Sequence, residues 1–135
     1  MARVKIRDTT LGGDGDYMRF AWLAGVLHGL IGTAIFFLTL HPLRDALDAH
    51  SLDLAKIAGA WQAMQGLVLM IAAVATRSKI SAALIAGGTF ISCAMLYFII
   101  FTGLRPPIIV IAPIGGAIAM AGWIGLFTAK LRDNS

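Results

Sequence analysis

Residues 20–40 are "FAWLAGVLHGLIGTAIFFLTL", an apolar run with one histidine and no charged side chain. A helix needs about 20 consecutive apolar residues to cross a hydrocarbon core of about 30 Å. Three more apolar segments of similar length follow, at about residues 54–75, 80–102 and 108–129. The sequence therefore predicts an all-α fold, a single integral membrane four-helix bundle preceded by a polar arm at residues 1–19.

The composition agrees with a membrane protein. Of the 135 residues, 59% are hydrophobic and 13% are charged, and the mean hydropathy is +0.83. Soluble domains average about 45–50% apolar and about 25% charged residues, so a soluble globular domain is excluded. The single cysteine, Cys93, excludes an intramolecular disulfide and a thiolate metal cluster. We expect it to pack as a small apolar residue.

The basic residues are distributed unevenly about the predicted spans. By the positive-inside rule, the richer side faces the cytoplasm. This predicts both termini on the cytoplasmic side of a bacterial inner membrane, or in the matrix for a mitochondrial inner membrane. The pI of 9.7 predicts contact with anionic lipid headgroups and is no evidence for nucleic acid. The richer side holds Arg3, Lys5, Arg7, Arg19, Arg77, Lys79, Lys130 and Arg132, and the other side Arg44, Lys56 and Arg105.

The polar segments between the spans predict the helix ends. The run "LGGDGD" at residues 11–16 is typical of a flexible turn, and Asp16 is a plausible N-cap for the first helix. After the first span, Pro42 suits the first position of a short interfacial helix. Ser51 or Asp53 can cap the second helix.

Pro113 leaves two alternatives for the fourth helix. Proline lacks a backbone N–H, so inside a helix it leaves the carbonyl of Ile109 without its usual partner. The helix is then either kinked at Pro113 or begins there, with residues 108–112 extended. The shorter span of the second alternative favours the kink.

Each predicted span carries small residues at helical spacing. Apolar helices gain little by association in lipid, so close approach of small residues matters. The pattern predicts a tight bundle, and the same faces could serve self-association or contact with other integral membrane subunits. The predicted packing residues are Ala21, Gly25, Gly29, Thr33, Gly59, Ala63, Gly66, Gly87, Gly115, Gly116, Ala119 and Gly122.

Few polar residues interrupt the spans, and His28, Gln62, Gln65 and Tyr97 are the candidates for binding a ligand. A rise of about 1.5 Å per residue places His28 and Gln65 at similar depths, so we expect these two to pair. Trp123 is expected to be an interfacial anchor.

These residues do not predict a cofactor. Haem ligation usually needs a second axial ligand at similar depth, and no second histidine lies in a span. No acidic residue lies inside a predicted span, which disfavours proton translocation. Haem or quinone binding at His28 remains an alternative. No metal site is predicted, because Asp45, Asp48, His50 and Asp53 match no defined ligand spacing.

The second half of the chain resembles a known family. The stretches "LYFIIFTGLR" (96–105), "PIGG" (113–116) and "AGW" (121–123) are similar to those of the small four-helix inner-membrane proteins of the YgdD type. The resemblance covers about residues 93–126. It implies a four-helix inner-membrane topology and no established activity. The first half departs from the family, whose Gly-Ala-Phe-Gly-Ala-His motif is matched only by Ala49 and His50.

Together these features favour a non-catalytic function. The leading hypothesis is an accessory subunit or assembly factor of a larger respiratory or photosynthetic membrane complex. The alternatives are a haem- or quinone-binding redox protein centred on His28, and a small oligomeric transporter.

Overall fold

The computed structural model of the chain describes residues 11–76 and 78–133, and at residues 11–14 and 130–133 the backbone alone. This part of the chain is all-α, without strands. The helices are α1 (Leu11–Leu40), α2 (Ala49–Ala75), α3 (Lys79–Thr102), a short 3₁₀ helix (Pro107–Val110) and α4 (Ile111–Asp133). All four α-helices are long and apolar enough to span a membrane, over Gly15–Leu40, Ala49–Ala75, Lys79–Thr102 and Pro107–Ala129.

α1 begins earlier than the sequence predicted. The stretch 11–16, expected to be a flexible turn, is helical, so Asp16 lies inside the helix and is not its N-cap. An acidic side chain near a helix N-terminus is favourable. The added turns also have a neighbour, because Tyr17 is buried and its hydroxyl donates to the carbonyl of Ala72 on α2, at 3.4 Å. The rest of the predicted arm, residues 1–10, lies outside the described residues.

α2 also begins earlier, at Ala49, and its N-cap is Asp48 rather than Ser51 or Asp53. One carboxylate oxygen of Asp48 accepts the backbone N–H groups of His50 and Ser51, both at 3.0 Å. The preceding residues, 41–47, form turns instead of the expected interfacial helix. The cap satisfies two of the N–H groups that the first turn of a helix leaves without partners.

The α3–α4 connection resolves the question of Pro113. α3 ends at Thr102 and is capped by Gly103, whose φ of 68° is the left-handed conformation that glycine adopts without strain. After the 3₁₀ helix, α4 begins at Ile111, so Pro113 is its third residue. N–H groups in a first turn have no partner within the helix, so proline forfeits no hydrogen bond there. Neither the kink nor the extended segment is needed.

The helices pack as two hairpins. α1 packs along α2 and α3 along α4, and the hairpins meet mainly through α2 and α3, with a smaller contact between α1 and α3. Both hairpins are held at close range because backbone meets backbone at glycines. Such crossings are typical of helix association in lipid.

At the α1–α2 crossing, glycines approach the opposite backbone from both sides. A Cβ added at Gly32 would lie 2.5 Å from the carbonyl oxygen of Gly59, and one added at Gly66 would lie 2.6 Å from that of Gly25. At the α3–α4 crossing, a Cβ at Gly88 would lie 2.5 Å from the carbonyl oxygen of Gly115. None of these positions has room for a side chain.

The predicted packing residues are only partly those that the structure uses. Thr33 and Gly87 are exposed, and a Cβ added at Gly87 or Gly116 would meet no neighbouring atom within 4 Å. α1 approaches α2 through Gly25, Gly29 and Gly32, and the predicted stripe omitted the last of these. The reason is geometric: each four-residue step advances about 400°, so a strict i, i+4 series drifts about 40° per step. The other predicted packing residues are buried or half-buried: Ala21, Gly25, Gly29, Gly59, Ala63, Gly66, Gly115, Gly116, Ala119 and Gly122.

Two neighbouring glycines of α3 provide a test of the crossing. Gly88→Ala should destabilise the protein by about 1–3 kcal/mol, because the methyl group forces the two backbones apart. Gly87→Ala should leave stability unchanged or slightly higher, because that position is open and alanine favours helix. Thermal unfolding in mild detergent measures both variants. Equal losses of stability in the two variants would contradict the assigned crossing.

The Asp48 cap predicts a pH dependence. Hydrogen bonding to the Ser51 side chain, and then to the backbone of Ser51 and His50, holds the pKa of Asp48 below its ordinary value of 3.8. The unfolded chain therefore takes up this proton first as the pH falls. The contribution of the carboxylate is present at neutral pH and is lost as the pH falls from 3.8 through the lower folded value.

Asp48→Asn is the matched control, since asparagine also caps helices and does not titrate. Melting temperatures between pH 7 and pH 3 should fall more steeply for the native chain than for this variant. Parallel curves would show that Asp48 contributes no proton-linked stability.

Candidate functional site

His28 lies at the meeting point of three helices. The side chain is 6% exposed and its two ring nitrogens face different neighbours. Nε2 is 3.1 Å from the carbonyl oxygen of Ala86 on α3, and Nδ1 is 3.1 Å from the amide nitrogen Nε2 of Gln62 on α2. A single imidazole on α1 thus contacts α2 of its own hairpin and α3 of the other hairpin.

These neighbours determine where the proton of the imidazole lies. A carbonyl oxygen can only accept, so Nε2 of His28 carries the hydrogen and donates it to Ala86. In the neutral ring, Nδ1 then accepts from the amide N–H of Gln62. A doubly protonated ring would place two donors against each other at this contact, so the arrangement fits neutral imidazole.

The chain of hydrogen bonds continues to α3 through Gln62, which is 3% exposed. Its oxygen Oε1 accepts from the hydroxyl of Tyr97 at 2.6 Å. The order is therefore Tyr97 O–H to Gln62, Gln62 N–H to His28, and His28 N–H to Ala86. We call these three side chains and the Ala86 carbonyl the His28 network. Its interhelical hydrogen bonds satisfy both ring nitrogens and both ends of the amide.

Gln65 is not the partner of His28, contrary to the sequence prediction. It is buried and its Oε1 accepts from the indole Nε1–H of Trp123 on α4, at 2.9 Å. Trp123 is itself partly exposed, so its ring faces outward while its N–H joins α4 to α2. The two glutamines of α2 thus bond to different helices, Gln62 to α1 and α3 and Gln65 to α4.

The length of α1 explains why His28 pairs with Gln62 and not with Gln65. Tyr17 of α1 contacts Ala72 of α2, and His28 and Gln62 lie eleven and ten residues from these two positions, about 16 Å along their helices. Counting α1 from residue 20 had placed His28 about 7 Å too shallow, at the level of Gln65. The missed signal is that Gly15 and Asp16 continue the helix despite their composition.

Two further polar groups lie on the face of α3 that carries Ala86. Thr89 is fully buried, and its hydroxyl has no partner among the residues that the structure describes. Cys93 is also buried, with its sulfur 4.0 Å from the carbonyl oxygen of Ala58. Cys93 therefore occupies the helix contact expected of a small packing residue.

The polar loop before α2 has a structural role. Asp48 is the N-cap, and Asp53 forms an exposed ion pair with Lys56 at 3.4 Å. Among the side chains of residues 15–76 and 78–129, no three His, Cys, Asp or Glu are arranged to hold a metal ion.

A double-mutant cycle tests the pairing in the His28 network. His28→Ala and Gln62→Ala should show a coupling energy of about 0.6 kcal/mol, the average for interhelical hydrogen bonds in membranes. The matched control pairs His28→Ala with Gln65→Ala, whose effects should add. Reversible unfolding in mixed detergent measures the four variants and the native chain. Coupling of His28 to Gln65 instead would contradict the geometry.

Comparison with known proteins identifies a family and no established activity. The family model described as "Protein of unknown function (DUF423)" matches residues 38–116, which include all of α2 and α3 and most of the His28 network. The similarity is thus not confined to the second half of the chain. No curated protein and no solved structure matches. Because the family model covers more than half of the sequence, the chain belongs to the DUF423 family of proteins of unknown function.

Proposed function

We propose that the protein is a small, non-catalytic subunit or assembly factor of a larger inner-membrane complex, with both termini on the cytoplasmic side. The four membrane-length helices support the membrane location. The orientation rests on the eight basic residues that flank one side of the spans, against three on the other.

The observation that carries the proposal is the engagement of the polar side chains with one another. In the His28 network, both ring nitrogens and both ends of the Gln62 amide have hydrogen-bond partners within the chain. The amide oxygen of Gln65 is likewise taken by Trp123. These groups act as tethers between helices, which is the usual role of polar side chains in membrane bundles.

The outer face of α3 provides a surface for a partner helix. Ala83, Gly87 and Ala94 are exposed and lie within about 40° of one another around the helix. Small residues at this spacing allow a second helix to approach closely in lipid. We call these three residues the outer α3 face.

Gly87 is the residue of this face that the fold itself does not explain. Glycine inside a helix is less favourable than alanine by about 0.5–1 kcal/mol. At Gly88 the crossing with α4 compensates, since no side chain fits there, whereas a Cβ at Gly87 meets no atom within 4 Å. A helix from another membrane protein packed on Gly87 would account for it.

The test is co-purification of tagged variants after gentle detergent extraction. Gly87→Leu should leave the fold intact and abolish recovery of a defined membrane complex, because leucine fills the space of the partner helix. Ala60→Leu, at an exposed position of α2, is the matched control and should retain the complex. Equal recovery with both variants, or recovery of the isolated 14.3 kDa chain from native membranes, would count against the proposal.

A redox protein centred on His28 is the second candidate. Its support is that three of the four candidate ligand residues, His28, Gln62 and Tyr97, meet in one network. Binding of haem iron would require a ring nitrogen of His28 to leave its present partner. A Soret band in the purified protein, lost in His28→Ala, would establish this function and displace the subunit proposal.

A further inference from the structure

A groove lies between the start of α1 and the end of α2, and one of the residues that line it is charged. It has a volume of about 490 Å³ and opens on the outer surface where α1 begins and α2 ends. We call it the α1–α2 groove, and its lining residues are Met18, Arg19, Trp22, Leu23, Ala73 and Val74. Every lining side chain except that of Arg19 is apolar.

Arg19 is a charged residue at the edge of the apolar part of α1. It comes immediately before residues 20–40, a run without a charged side chain. A guanidinium in hydrocarbon is costly, and such side chains extend toward the headgroups. Among the side chains of residues 15–76 and 78–129 the one ion pair is Lys56–Asp53, so no carboxylate of these residues lies within ion-pair distance of Arg19.

The two chemical properties of the groove match the two parts of a phospholipid. A guanidinium forms paired hydrogen bonds with phosphate oxygens and stays charged at every physiological pH. The apolar wall beside it, with Trp22 half-exposed and Val74 76% exposed, is suited to an acyl chain. Tryptophan side chains are also enriched at the membrane interface. A free phosphate ion would use Arg19 and gain nothing from this wall.

We propose that the α1–α2 groove binds one anionic phospholipid, with its phosphate on Arg19 and an acyl chain against Trp22 and Val74. An anionic headgroup is favoured over a zwitterionic one because none of the described lining side chains is a carboxylate that could receive a headgroup cation. This site is independent of the proposed role as a subunit, since the outer α3 face is on another helix.

A second groove in the same protein serves as an internal reference. It lies between α2 and α4, has a volume of about 370 Å³, and is lined partly by Ala75 and Phe127. None of the lining side chains that the structure describes is charged. It can accept lipid chains and should not select a headgroup. Val74 and Ala75, adjacent in the sequence, therefore line different grooves.

Native mass spectrometry of the purified protein tests the headgroup contact. We expect one phosphatidylglycerol to be retained in preference to phosphatidylcholine with the same acyl chains. Arg19→Gln should reduce that preference about tenfold, as expected for loss of a hydrogen bond between charged groups. Lys79→Gln, which removes an exposed charge at the same end of the bundle, should leave it unchanged. Equal losses in the two variants, or no preference in the native chain, would overturn the proposal.

Two further arms test the acyl chain. Val74→Trp should lower retention of phosphatidylglycerol by filling the α1–α2 groove, whereas Ala75→Trp should not. Inorganic phosphate in millimolar excess should fail to displace the lipid. Unchanged retention in Val74→Trp, or displacement by inorganic phosphate alone, would show that no chain occupies the groove and would overturn the assignment.

Discussion

Backbone contact at glycines is the interaction on which the remainder of this structure depends. Helices in lipid gain no hydrophobic free energy when they associate, so stable association needs very close packing. Gly32 with Gly59 and Gly25 with Gly66 bring α1 against α2, and Gly88 with Gly115 brings α3 against α4. These crossings fix the distance between the helices of each hairpin and also their relative depth.

The polar side chains follow from that depth. Once α1 and α2 are held at their crossing, His28 lies level with Gln62, and the imidazole reaches Ala86 on α3. Each such bond contributes little, about 0.6 kcal/mol on average in membranes. Their value is directional: a histidine with both nitrogens engaged permits one arrangement of three helices. Close packing supplies the attraction, and the His28 network selects the arrangement.

The membrane-length helices were predictable from the sequence because hydropathy reports directly on length and burial in lipid. The helix ends were less predictable from the sequence. Gly15 and Asp16 are poor helix formers, and α1 continues through them because Tyr17 packs on α2. Pro113 was ambiguous because its effect depends on its position in the helix, and the first turn tolerates it.

The candidate site was predicted in its members and missed in its pairing. His28, Gln62 and Tyr97 were identifiable because polar side chains are rare in the spans. Their partners depend on helix register, and beginning the first helix at residue 20 instead of Leu11 exchanged Gln62 for Gln65. Ala86 offers only a backbone carbonyl, which no sequence pattern reveals. Trp123 was expected at the membrane interface, and its hydrogen bond to Gln65 depends on how α4 packs against α2.

Solid-state ¹⁵N NMR of the protein in lipid bilayers tests most directly whether the glycine crossings set this register. The structure predicts a neutral His28 with its hydrogen on Nε2, an unprotonated Nδ1, and a through-space contact from Nδ1 to the side-chain amide of Gln62. A hydrogen on Nδ1, or a contact of the ring with the amide of Gln65, would show that α1 and α2 cross in another register.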